Sequence, residues 1–163
     1  MKIVQLSEEL LATESSRQLR RAWPELLFHD ALSNAYWGRL YTERPAFQFA
    51  LVDDGRVLAE GNSVPVAGMP AGWRDAFPNA FDSGREPDRL CAIQILVDPD
   101  LHGKGLARPM LLQQLAKTTH LVLLPGGLRQ QHADAIAPAP LQPFRFPRCP
   151  GFLLLVFASL FSL

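Results

Sequence analysis

The residues of this sequence best suited to chemistry lie together in Val97-Asp98-Pro99-Asp100-Leu101-His102-Gly103-Lys104-Gly105-Leu106-Ala107. This stretch closes an almost continuous apolar run and opens a segment whose apolar residues recur at helical spacing, so it is a strand-to-helix turn. At such a junction the first amides of the helix have no partner within it, and the helix dipole adds partial positive charge. The site favours an anion. Gly103 and Gly105 remove side-chain bulk so that a phosphate can approach the backbone, and Lys104 adds a flexible positive charge. A diphosphate suits this chemistry, and a structural turn without a ligand is the plain alternative. No G-x-x-x-x-G-K followed by Ser or Thr is present, and Arg108 stands where a dinucleotide fingerprint has its third glycine.

The elements around the turn follow from patterning. Leu90 to Val97 is apolar on both alternations, as in a central strand buried on both faces. Ala107, Met110, Leu111 and Leu115 give a helix to about Lys117. Upstream, Lys2 to Leu6 is a short strand, and Ser7 followed by Glu8 and Glu9 starts a helix that runs to about Trp23. Phe28, Leu32, Tyr36 and Leu40 recur every four residues and predict a second helix between Pro24 and Pro45. Phe47, Phe49 and Leu51 alternate as in a half-buried strand, and Asp53-Asp54-Gly55 turns it into Val57-Leu58-Ala59 as a hairpin. Ala67 to Arg89 is rich in Gly, Pro, Asp and Asn, which predicts a long loop anchored by Trp73, Phe77 and Phe81. A helical turn or two around Arg74 to Ala76 is compatible with that spacing, with Pro78 as an interruption. His120 to Leu124 is a further strand that closes against Leu90 to Val97.

The chain has 163 residues, 48% hydrophobic and 20% charged, which suits one folded domain with a packed core and excludes wholesale disorder. Lys plus Arg and Asp plus Glu each number 16, so no general attraction to nucleic acid or to an anionic membrane is built in. Cys91 and Cys149 lack the spacing of a zinc site or a disulfide framework, and the N-terminus lacks the order of a signal peptide, so a cytoplasmic protein without a metal is expected. Beyond Pro125 the chain is Pro-rich and then strongly apolar. The apolar end is shorter than the roughly 20 residues of a membrane-spanning helix.

The pattern Val97-x-Pro99-x-x-His102-Gly103-x-Gly105-Leu106-Ala107, behind a buried strand and at the head of an amphipathic helix, resembles motif A of the GNAT N-acetyltransferases. The order of the preceding elements agrees with that family. The resemblance covers residues 1 to 124 and is specific over residues 93 to 115. It implies an α/β domain with a mixed, largely antiparallel sheet flanked by helices, and acetyl-coenzyme A or another acyl-CoA as co-substrate. The acceptor it implies is an amine, small or on a protein. By position, His102 takes the place of the family's Arg or Gln. The amides of Gly103, Lys104, Gly105, Leu106, Ala107 and Arg108 would cradle the diphosphate, and Val97 would pair its backbone with the pantetheine arm. The closing helix and strands of the family are not evident in residues 125 to 163, so the fold is expected to be incomplete there. A changed reading frame near residues 118 to 130 and a divergent native tail are rival accounts of that segment.

Acyl transfer to an amine needs a base and a donor for the leaving thiolate. Asp98 and Glu60 are the candidate bases, with ordinary surface acids as the plain alternative. Family members use a Tyr after motif A to protonate the thiolate, whereas Tyr36 and Tyr41 both lie upstream here. An acyl-CoA binding remnant without catalysis is the rival reading. His29, His120 and His132 lack the companions of a metal site, and Cys91 in an apolar strand is most simply a core residue.

Overall fold

The computed structural model describes residues 1–23, 25–118 and 121–123. The expected tail, with Cys149 and His132, lies outside the described residues, as does His120. Five strands form one sheet in the order β1-β2-β3-β4-β5: β1 Lys2–Gln5, β2 Gln48–Asp53, β3 Arg56–Val66, β4 Arg89–Val97 and β5 Leu121–Leu123. The first four are antiparallel neighbours and β5 joins β4 in parallel, the mixed, largely antiparallel sheet that the resemblance implies.

The hairpin between β2 and β3 turns through Asp54 and Gly55, both at positive φ (46° and 77°), the backbone that a tight two-residue hairpin turn requires. The strands it joins differ from expectation. β2 is buried on both faces up to Asp53 rather than on one, and β3 continues to Val66. The reason is that helices cover both sides of the sheet.

On one side lie α1 (Glu8–Leu11), α2 (Glu14–Leu19), α3 (Glu25–Phe28), α4 (Ala31–Glu43) and α5 (Trp73–Phe81). Leu6 and Leu19 pack there against Ala50, Val52, Val57 and Leu96, while Leu40, Ala76 and Phe77 pack against Val64, Val66, Cys91 and Ile93. On the other side, α6 (Ala107–Leu115) sets Met110 against Phe49, Leu51 and Ala59, and Leu111 and Leu115 against Leu90 and Ala92.

Each helix that the sequence predicts upstream is divided. The first breaks at Thr13, whose hydroxyl caps α2 by accepting from the Ser16 amide at 3.2 Å. The second breaks at Asp30, which caps α4 by accepting from the Ser33 amide at 2.7 Å and pairs with Arg74 at 2.8 Å. A capping carboxylate competes with helix continuation, so the four-residue repeat runs across two helices and leaves Phe28 exposed.

The segment from Ala67 to Arg89 also departs from a loop. It contains α5, and Pro78 lies inside it. A proline removes one amide donor, a modest loss in so short a helix. Three rings at four-residue spacing offset it: Phe77 is fully buried and stacks on Tyr36 at 5.7 Å, Trp73 meets Phe77 edge-on at 6.2 Å, and Phe81 stacks on Tyr36 at 5.8 Å.

Candidate functional site: the glycine turn after β4

β4 delivers the turn, and its geometry begins with a bulge. Gln94 pairs with Asn62 and Ala92 with Ser63, which leaves Ile93 without a partner in β3. The extra residue exchanges the two faces of the strand. Leu90 and Ala92 point toward α6 before it, and Ile95 and Val97 point that way after it. The described ladder to β5 covers Leu90 to Ala92 and ends one residue before the bulge. From Ile93 to Val97 the outward edge of β4 faces no described strand.

At the end of β4 the Asp98 amide donates to the Leu58 carbonyl at 3.0 Å. In an antiparallel ladder that orientation alternates, so the amide and carbonyl of Val97 face the open edge. His102 Nε2 lies 3.1 Å from the Val97 carbonyl and donates to it, since a carbonyl only accepts. Thus His102 ties the turn to the strand end and occupies the Val97 carbonyl, while the Val97 N–H faces the open edge.

The turn itself is a short 3₁₀ segment, Pro99–Leu101, followed by two glycines at positive φ, 77° for Gly103 and 73° for Gly105. Both angles lie in the region that most side chains avoid, and a Cβ on either glycine would meet nothing within 4 Å. The glycines therefore serve the backbone path and an open approach rather than close packing. The Lys104 and Arg108 amides bond within the turn, to the carbonyls of Leu101 (3.4 Å) and Gly105 (3.2 Å). The amides of Gly103, Gly105, Leu106 and Ala107 have no hydrogen-bond partner among the described residues. The side chains of Lys104 and Arg108 are exposed and pair with no described carboxylate. Bare amides at a helix N-terminus, flanked by two exposed cations, have the chemistry that an anion of several oxygens would match.

Asp98 anchors this turn. It is 2% exposed, accepts from the Asp100 amide at 3.0 Å and pairs with Arg56 at 2.5 Å. Burial pushes its carboxyl up, but the Asp100 amide and the Arg56 guanidinium outweigh it, and the group stays below the usual carboxylate range. A carboxylate held so firmly in its charged form is suited to capping a turn more than to taking a proton.

Glu60 is placed differently. It projects from β3 to the face opposite α6, beneath Ser16 of α2, whose hydroxyl donates to it at 2.5 Å. Burial raises its pKa against the opposing effects of the Ser16 hydrogen bond and the Arg20 charge. The two candidate bases thus differ in their electrostatics.

A polar line continues on the Glu60 face, with Gln94 Nε2 donating to Asn62 Oδ1 (3.2 Å) and Asn62 Nδ2 to Gln48 Oε1 (3.1 Å). Patterning alone gave no sign of Arg56, Ser16 or this line. Each contact joins residues 14 to 44 positions apart, a separation at which periodicity carries no signal.

Tyr36 donates to Asp82, whereas Tyr41 joins the polar line on the Glu60 face, its hydroxyl accepting from Asn62 Nδ2 at 3.5 Å, and its phenol is pushed up to about 12, chiefly by burial and then by the Glu60 charge. Cys91 is fully buried and its thiol is also raised to about 12 by desolvation, as expected of a core residue. Exposed His29 lies 3.3 Å from Glu25. Among the described residues no three His, Cys, Asp or Glu side chains gather as metal ligands, and no helix is long and apolar enough to cross a membrane. A concave pocket of about 460 Å³, lined by Gly68, Met69, Asp75, Asn79, Asp82 and Arg85, lies at the far end of β3 and β4 from the turn. Its groups are largely engaged already, Asn79 with Ala67, and Asp82 with Tyr36 and Arg39.

No protein-family model matches the chain, and a comparison with curated proteins finds no match. Solved structures do match. The GNAT-like decarboxylase GphF, in complex with isobutyryl-CoA, aligns with a TM-score of 0.60 and 18% identity over 84% of this chain and 73% of that one. The loading GNATL domain of CurA from Lyngbya majuscula gives 0.60 and 17% over 85% and 70%. The chain has the GNAT fold. A third match is the aminoglycoside antibiotic 6'-N-acetyltransferase AAC(6')-IG from Acinetobacter haemolyticus, with a TM-score of 0.52 and 16% identity over 91% and 99%. On this GNAT fold the glycine turn stands between the fourth strand and the helix that covers its α6 face.

Proposed function

We propose that this chain is a GNAT-type acyltransferase that binds acetyl-CoA or another acyl-CoA and passes the acyl group to an amine. The coenzyme diphosphate sits on the amides of Gly103, Gly105, Leu106 and Ala107, with Lys104 and Arg108 at its flanks. The pantetheine arm follows the open edge of β4 from the Val97 N–H. The observation that carries this reading is the set of bare amides over two glycines whose approach is open. Support comes from the fold it shares with GphF, whose structure holds isobutyryl-CoA.

For the transfer step, Glu60 is the better suited of the two carboxylates, because a buried group with a raised pKa accepts a proton more readily than one held in an ion pair. Its route to an amine on the β4 edge runs along the face shared with Gln94. Titrating the purified chain with acetyl-CoA by calorimetry tests the binding step. Saturable heat that is lost in Gly105→Asp supports the reading, and a folded chain that binds no coenzyme ends it.

A second reading is favoured by one observation: Tyr36 and Tyr41 are the chain's two tyrosines and both precede the turn, Tyr36 bonded to Asp82 and Tyr41 buried beside Asn62 on the Glu60 face. No tyrosine follows the turn to protonate a leaving thiolate, so on this reading the chain is an acyl-CoA binding protein, or one whose chemistry spares the thioester. GphF, which is a decarboxylase, shows that this fold accommodates other acyl-CoA chemistry. Thiol release over a panel of amines separates the readings, with carbon dioxide release from a carboxyacyl-CoA as the control. Coenzyme binding without thiol release over that panel removes the transferase.

A further inference from the structure

Gln114 is fully buried on the inner face of α6, where Leu or Met would pack without a polar cost. Its Nε2 donates to the Asn62 carbonyl at 3.2 Å, while its Oε1 has no hydrogen-bond partner among the described residues. A half-satisfied amide in a core is costly, so this residue gives up stability for the contact it makes.

That contact is at the bulge. Asn62 is the β3 residue at which the register to β4 breaks, and Ile93 is the residue left over. From the opposite face, Gln94 Nε2 grips the Asn62 side chain. The bulge is thus held from both sides of the sheet, one residue beyond the last described pair with β5. A bulge bends its strand, so this one sets the direction of the outward edge from Ile93 to Val97.

α6 therefore has two attachments. Its N-terminus carries the bare amides of the turn, and Gln114, about 10 Å further along the axis, holds the bend of β4. We infer that Gln114 is a positioning residue: by holding the Asn62 carbonyl at the β3–β4 bulge, it fixes where the acyl end of a bound acyl-CoA lies relative to its diphosphate. The inference rests on the acyl-CoA reading. Gln114 touches no reacting atom; it acts through the strand edge that the pantetheine follows.

The test separates the two ends of the ligand. Calorimetry on the full chain measures acetyl-CoA and the coenzyme's nucleotide fragment, adenosine 3'-phosphate 5'-diphosphate, and the ratio of the two affinities isolates the arm. Gln114→Met fills the same volume without a donor, and should leave fragment affinity within about twofold while the ratio falls about tenfold, or 1.4 kcal/mol. Gln114→Glu should lose the ratio at about pH 8, where a carboxylate faces a carbonyl. It should regain it at about pH 5.5, where a buried carboxyl is protonated and donates to Asn62. A change in packing alone would not return with pH.

An unchanged ratio in Gln114→Met, or fragment and acetyl-CoA weakening in parallel, overturns the positioning role. No binding of either ligand by the unaltered chain overturns the acyl-CoA reading and this inference with it. Should neither variant fold, NMR of the unaltered chain decides. The Gln114 side-chain amide and the Ile93 amide should shift with acetyl-CoA and stay in place with the fragment, and shifts that are the same for both ligands overturn the inference.

Discussion

At the end of the β3–β4 ladder where Val66 faces Arg89, the chain covers its own sheet with rings, while at the end where Ala59 faces Val97 it leaves amides bare. At the first end Phe77 is sealed among Tyr36, Trp37 and Trp73, and Arg39 lies 4.6 Å above the Phe81 ring while pairing with Asp82. At the second, Asp98 with Arg56 and His102 on the Val97 carbonyl hold the backbone path of the turn. One end is closed by the protein's own rings; the other exposes the amides on which the proposed coenzyme diphosphate would sit. Free amides are the rule at a helix N-terminus, so what sets this end apart is their company: two glycines at positive φ with open space around them and the exposed cations Lys104 and Arg108.

That contrast can be broken at either end. The largest effect is expected for Phe77→Ala, which opens a cavity among rings and should cost about 3–5 kcal/mol in denaturant unfolding. Coenzyme affinity of whatever remains folded should be unaltered, and a matching loss of affinity would mean that the two ends are not independent. Next is Gly105→Asp. Aspartate tolerates positive φ, as Asp54 does here, so the backbone path survives while a negative charge enters the cradle. Coenzyme affinity should fall about a hundredfold, or roughly 2.7 kcal/mol, against a smaller loss in Gly105→Asn. Equal losses in the two variants would point to bulk and remove the anion argument.

Smaller still is Arg56→Ala, which removes the nearer of the two cations beside the buried Asp98 carboxylate. The half-exposed arginine, and Arg21 remaining 4.0 Å from the same carboxylate, limit the expected cost to about 1 kcal/mol at neutral pH. Because the Asp98 pKa is lowered in the fold, the stability it contributes is present above its unfolded value and is lost as pH falls through the folded one. The difference between the variant and the unaltered chain should therefore narrow below about pH 4. Glu60 has the opposite sign. Its raised pKa means that stability is greatest while it is protonated and declines as pH rises through the folded value. Glu60→Gln should stabilise the chain slightly at pH 8 and not at pH 4, and should lower any transferase turnover.

The sequence carries the turn almost completely, because its signals are local: an apolar strand, two glycines and a helical repeat within some twenty residues. Helix division at Thr13 and Asp30 escapes periodicity, since a capping side chain acts on one or two amides and leaves the apolar repeat intact. α5 is legible only as the helical turn or two around Arg74 to Ala76, because Pro78 and the surrounding glycines outweigh a ring spacing whose value depends on α4 being opposite. The bulge at Ile93 is invisible for another reason. In a strand apolar on both alternations, the exchange of faces leaves no mark on the pattern. Gln114 stands among apolar helix positions as an anomaly that only the Asn62 carbonyl explains.

The most direct measurement is a nitrogen-15 NMR titration of the full chain with coenzyme A, following each amide. The account predicts saturable shifts centred on Gly103, Gly105, Leu106 and Ala107, fading toward α5. Shifts absent from the turn, or centred on the pocket around Gly68, Asp75 and Arg85, would contradict it.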